Sequence, residues 1–138
     1  MVKVTKVDKI VRLSEPSKEL AARVLAEVDF KERFVGVNMH PMAGNTEVSI
    51  YRFEEAINLL HYNTGDLRIK GTGSIGYIDF NKLQKWIEEV YKDKELAKII
   101  NKKINDNYSY KDQVEAIKPV MEQRLRQSKE IVRVDMEN

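Results

Sequence analysis

Side-chain hydrophobicity alternates at period two between Phe34 and Arg52 and recurs at helical spacing from Phe53, a switch that constrains the fold more than any other feature. Successive side chains on a strand point to opposite faces, whereas a helix returns to one face every three or four positions, so each segment commits to one form. In the first segment Val35, Val37 and Met39 fall on one side, with Phe34, Gly36, Asn38 and His40 on the other. Val48 and Ile50 share a side of the stretch Thr46 to Arg52. Between the two runs, Pro41-Met42-Ala43-Gly44-Asn45 has the residue types of a hairpin loop. Opposing Met39 with Val48 and Val37 with Ile50 keeps the apolar sets together and sets His40 across from Glu47.

A second hairpin is expected over residues 66–80. It contains Gly71-Thr72-Gly73-Ser74-Ile75-Gly76, a G-x-G-x-x-G run holding three of the chain's 6 glycines. A dinucleotide site needs such glycines to end a strand and open a helix at once, but Tyr77-Ile78-Asp79-Phe80 intervenes with strand character. A P-loop needs Lys and Ser/Thr after the last glycine, where this chain has Tyr77-Ile78. The kinase type of glycine hairpin fits locally, yet no H-R-D or D-F-G follows, which excludes a kinase. With Gly73-Ser74 as a two-residue turn, Ile69 meets Ile78, Leu67 meets Phe80 and Arg68 meets Asp79. That register leaves Gly71 and Gly76 opposite each other on an apolar face. Such a bald spot marks close approach by another backbone or by a ligand.

The remaining segments read mainly as helices. Val2 to Val4, Lys9 to Leu13 and Ile131 to Met136 carry strand patterns instead. After Ser14-Glu15-Pro16, a capping residue type followed by a helix-opening proline, Leu20, Ala21, Val24, Leu25 and Val28 form one stripe. Phe53, Ala56, Ile57 and Leu60 form another, ending near His61. Asn81 and Gln84 have the spacing of a capping box ahead of Leu83, Trp86, Ile87 and Val90. Leu96, Ile99, Ile100 and Ile104 continue after a break at Asp93. Ser109 is placed to cap a last helix whose inner edge is Val114, Ile117, Met121, Leu125 and Ser128, with a kink or fresh start expected at Pro119. The expected fold is α+β in one domain, residues 1–138: an antiparallel sheet of two hairpins, 34–52 and 66–80, helices on one face, and a helical C-terminal half.

Composition excludes several functions. The 138 residues include no cysteine, so disulfides, thiolate nucleophiles and cysteine-held metals are out. No apolar run approaches the roughly 20 residues of a membrane helix. Met1-Val2-Lys3-Val4-Thr5-Lys6 lacks the apolar stretch of a secretory signal, so a cytoplasmic protein without membrane contact is expected. Charge is balanced, 24 basic against 22 acidic residues, without a long single-sign block. A nucleic-acid interface would draw on Arg124, Arg126, Lys129 and Arg133, which Glu122 and Glu130 dilute, so nucleic acid is not the expected partner.

The leading expectation is a non-enzymatic binding or regulatory module acting through a protein partner or its own dimer. An enzymatic or anion-binding alternative uses His40 as a base oriented by Glu47, with Gly71, Gly73, Ser74, Gly76, Asn38 and Asn45 around a small anionic ligand. A metal would need His40, His61 and a carboxylate such as Asp66 to converge, which their spacing does not indicate. No metal or cofactor is expected.

Overall fold

The structure, a computed structural model, describes residues 12–63, 65 and 73–137. The fold is α+β. Helix α1 (Lys18–Leu25) leads through a 3-10 turn (Phe30–Glu32) into strands β1 (Phe34–His40) and β2 (Gly44–Ile50), then helix α2 (Phe53–Leu59). Short strands β3 (Tyr62–Asn63) and β4 (Ser74–Tyr77) follow, then helices α3 (Phe80–Trp86), α4 (Lys94–Asp106) and α5 (Tyr110–Glu137). The sheet order is β2-β1-β4-β3, with every neighbouring pair antiparallel.

The first hairpin forms where alternation places it, but in a different register. Phe34 pairs with Ile50, Gly36 with Val48, Val37 with Glu47 and His40 with Gly44. The apolar face is therefore Phe34, Gly36, Val48 and Ile50, whereas Val35, Val37 and Met39 turn to the other side. A shorter loop causes the change: Ala43 N–H bonds back to the His40 carbonyl at 3.2 Å, and Gly44 takes φ +85°, so β2 starts at Gly44. Moving the register by an odd number of residues carries Glu47 to the face opposite His40.

Strand β4 lies in the middle of the sheet. Ile75 has Met39 on one side and Tyr62 on the other, so both of its edges are occupied, and Gly76 N–H bonds to the His61 carbonyl at 3.0 Å. The pairing expected between residues 67–72 and β4 falls largely outside the described residues, as do the strand expected at Val2 to Val4 and most of that at Lys9 to Leu13.

Local chemistry sets the helix ends. Ser17, instead of Ser14, caps α1 by accepting from Leu20 N–H at 3.1 Å. Glu55 in the first turn of α2 reaches back to accept from Tyr51 and Arg52 N–H. Asp79 caps α3, accepting from Asn81 and Lys82 N–H, so Phe80 begins a helix and does not end a strand. Ser109 accepts from Asp112 N–H at 3.1 Å, as its residue type suggests.

After Trp86 the helix widens into a π turn, Ile87–Tyr91, and closes on Lys92 in the left-handed conformation. Buried Asp93 follows and caps α4 by accepting from Leu96 N–H at 3.1 Å. Helix α5 is continuous through Pro119, and its last turns include Val132 to Met136, where strand alternation was expected.

The core lies between the sheet's inner face and the helices, with α5 packed along α1, α4 and α2. A run of rings links its parts: Phe34 to Trp86 at 5.3 Å, Trp86 to Tyr91 at 4.9 Å and Tyr91 to Phe53 at 5.6 Å between centroids. Burying a side chain such as Phe53, which has no exposed surface, stabilises the fold by about 1.5–3 kcal/mol.

Candidate functional site

The bald spot on the sheet is filled by the chain itself. At the end of α2 the backbone turns through Leu60 toward β3, pressing Leu59 onto the inner face of the sheet. A Cβ at Gly76 would stand 1.6 Å from the Leu59 carbonyl oxygen and 3.0 Å from His61 Nδ1, while one at Gly36 would meet the Leu59 side chain at 2.3 Å. Two neighbouring strands carry glycine because Leu59 lies against both, with its backbone at Gly76 and its side chain at Gly36. Gly76 is thus occupied by protein and has no room beside it for a phosphate. Gly73 takes φ +90°, but the expected two-residue Gly73-Ser74 turn does not form: Ser74 already belongs to β4 opposite Asn63, and Ile75 pairs with Tyr62 and Met39; Gly71 lies outside the described residues.

Beside this contact lies a polar cluster. His61 Nε2 and Ser74 Oγ are 2.9 Å apart, joining the chain just before β3 to the first residue of β4. Alternation places His40 and Asn38 on the same face as Gly76 and Ser74, because Asn38 pairs with Gly76 and each strand then advances by two residues. Asn38 Oδ1 is buried without a hydrogen-bond partner among the described residues. Both histidines of the chain thus approach one end of the inner face, although the sequence suggested only His40. The proposed His40–Glu47 dyad does not form, since His40 faces Gly44 and Glu47 faces Val37. Asn45 pairs with Met39 on the outer face, away from Asn38. A hydroxyl bonded to an imidazole is half of a nucleophile and base pair, but the Nδ1 side of His61 meets Gly76, with no carboxylate among the described residues to orient it. Likewise, no group of three metal-ligating side chains converges among the described residues.

Of the basic residues expected to form a nucleic-acid surface on α5, Arg124 is buried, and Lys129 and Arg133 are exposed but engaged in ion pairs within the chain. Arg124 is only 1% exposed. Its Nε donates to Asp93 at 2.8 Å, Nη2 to Glu95 at 2.9 Å, and Nη1 to the Ser14 carbonyl at 2.8 Å and to Gln127 at 2.9 Å. Arg133 pairs with Glu130 and Glu137, and Lys129 with Glu54; Arg126 is the one member of the expected set without an ion pair among the described residues. The stripe held the clue to Arg124, which stands three residues after Met121 and four before Ser128, on the buried edge of the helix.

The outer face of the sheet is different again. Val35, Val37 and Met39 on β1 lie beside Ile75 and Tyr77 on β4 and Tyr62 on β3, and Val35, Tyr77 and Tyr62 are 42%, 41% and 39% exposed. Tyr110 closes one end of this face. Its ring stacks 5.2 Å from Phe80 and lies 5.1 Å from Tyr77, while its hydroxyl donates to the Gly76 carbonyl and accepts from Ile78 N–H at 2.9 Å. Burial pushes that hydroxyl up to about 12, so it stays protonated and able to donate. Among the described residues no helix is long and apolar enough to cross a membrane. Comparison with protein-family models, curated proteins and solved structures gives no match to this chain.

Proposed function

We propose that this chain is a non-enzymatic binding or regulatory module that acts through the outer face of its sheet, with a second copy of the chain as the surface that covers it. Its support is the contiguous row Val35, Val37, Met39, Ile75, Tyr77 and Tyr62, half-exposed on one face. Single exposed apolar side chains are ordinary; a contiguous patch rimmed by polar groups marks an interaction surface, and tyrosine favours interfaces. Polarity across the face suits self-association. Its β2 margin carries the acceptors Glu47 and Asn45, and its β3–β4 margin carries the Tyr62 and Tyr77 hydroxyls. A two-fold axis parallel to the strands would lay the β2 margin of one copy over the tyrosine margin of the other, twice. The enzymatic alternative loses its named pair to the register of β1 and β2.

Sedimentation equilibrium over a wide concentration range tests the proposal. The expected result is a dimer that Val37→Lys converts to a folded monomer, since a lysine at the centre of the face, with Glu47 across the strand to hold it in the free chain, would have to be stripped of water on docking. A wild-type chain that stays monomeric at every concentration, or a dimer indifferent to Val37→Lys, would overturn it.

A further inference from the structure

Where the 3-10 turn and the start of β1 face α3, the surface forms a shallow cleft of about 570 Å3, within the size range of small-molecule sites. Four of its lining side chains are cations: Lys31 and Arg33 on one wall, Lys82 and Lys85 on the other. Glu32 and Glu89 are its carboxylates among the described residues, which leaves a local excess of positive charge. None of the four cations has an ion-pair partner among the described residues, although five other basic side chains do.

Arg33 is prepared for a ligand. Its guanidinium lies 3.8 Å from the centroid of the Phe30 ring, and Nη1 donates to the Phe30 carbonyl at 2.9 Å. The Nε donor is buried at the wall with no acceptor among the described residues, and Phe30 is 64% exposed. Below them the Trp86 indole N–H donates to the Glu32 carbonyl at 2.6 Å, so the two walls are tied together before a ligand arrives.

We propose that this cleft binds a mononucleotide, independently of what covers the sheet. The phosphate would lie at Lys82 and Lys85, with the base stacked on the Arg33 guanidinium, which the Phe30 ring backs from outside the cleft lining, as guanidinium planes stack bases. Two carboxylates in the lining oppose a track of many phosphates. The ligand is therefore a single nucleotide and not a strand.

Calorimetric titration of the full chain with ADP at low salt tests this, beside adenosine, inorganic phosphate and an oligothymidylate. The Lys82 and Lys85 side chains are exposed and form no ion pair among the described residues, so Lys82→Ala with Lys85→Ala keeps the fold, as circular dichroism would verify. ADP is expected to bind saturably, adenosine not to bind, and the double variant to weaken ADP by about tenfold or more, since each lost contact is a charge-assisted hydrogen bond. Phe30→Ala is expected to weaken ADP by about fivefold or more, because it removes the ring that holds the Arg33 guanidinium in place for stacking. Four outcomes would overturn the proposal: no saturable ADP binding at millimolar concentration, equal affinity in the double variant, phosphate binding as tightly as ADP, or tighter binding of the oligothymidylate than of ADP.

Discussion

At the residue scale, Gly36 and Gly76 make a pair of substitutions whose costs should differ for a definite reason. The obstacle to a Cβ at Gly76 is backbone, the Leu59 carbonyl at 1.6 Å, which cannot move without displacing the end of α2. At Gly36 the nearest atom is the end of the Leu59 side chain, which can rotate away, with the Tyr77 carbonyl next at 3.2 Å. Gly76→Ala is therefore expected to cost about 3 kcal/mol or more, and Gly36→Ala about 1–2 kcal/mol, read from urea denaturation. Leu59→Ala should relieve Gly36→Ala in a double-mutant cycle and leave Gly76→Ala unrelieved. Equal costs, or relief at Gly76, would contradict the packing described. The sequence announced that something lay against Gly76; it could not say that the object was Leu59, 17 residues earlier (76 minus 59).

At the scale of elements, α5 overrode two local signals. Pro119 lacks the N–H that would bond the Glu115 carbonyl, but both residues are exposed, so that carbonyl faces water and the helix runs on. Replacing Pro119 with Ala restores the bond and is expected to raise stability by about 1–3 kcal/mol, a gain visible as a higher melting temperature. A lower melting temperature would mean that the proline holds a bend the fold needs. At the end of the helix, Val132, Val134 and Met136 alternate as a strand would, yet propagating an existing helix is cheap once its nucleus has formed. Helical spacing also brings Arg133 to Glu130 and Glu137, and Asp135 to Lys18 at 2.9 Å. Alternation over so few residues carried less weight than these neighbours.

For the whole molecule, Arg124 is the junction that holds separate segments in one arrangement. Its guanidinium gathers residue 14, the break between α3 and α4, and α5 itself. Arg124→Met would leave Asp93 buried without its counter-charge, so a loss of about 3–5 kcal/mol is expected in chemical denaturation. Glu95 adds a pH dependence. Its own desolvation opposes ionisation, but hydrogen bonds from Ser14 and Arg124 outweigh it and hold the carboxyl below its ordinary value of 4.5. A lowered folded value means that this contribution is fully present above pH 4.5 and is lost as the pH falls through the folded value. Because the Glu95 side chain is 39% exposed, the effect should stay under about 1 kcal/mol. Glu95→Gln is accordingly expected to be less stable than wild type near neutrality and to converge with it in acid. A gap that persists unchanged at low pH would assign the stabilisation to packing instead.

Much of this protein was legible in its sequence: the α+β class, the strand segments β1 and β2, the stripes of α1, α2 and α3, and the break before α4. These follow from periodicity, which acts between residues close in sequence and has one geometric meaning for each period. Register, burial of charge and convergence of side chains depend on distant contacts, and there the tertiary structure decided. A loop shorter by three residues turned Val35, Val37 and Met39 outward and separated His40 from Glu47. Asp93 and Glu95, across the fold, turned Arg124 from a surface cation into a buried anchor. The cleft between Arg33 and Lys82 has no counterpart in any contiguous pattern, because its walls meet only once the chain has folded.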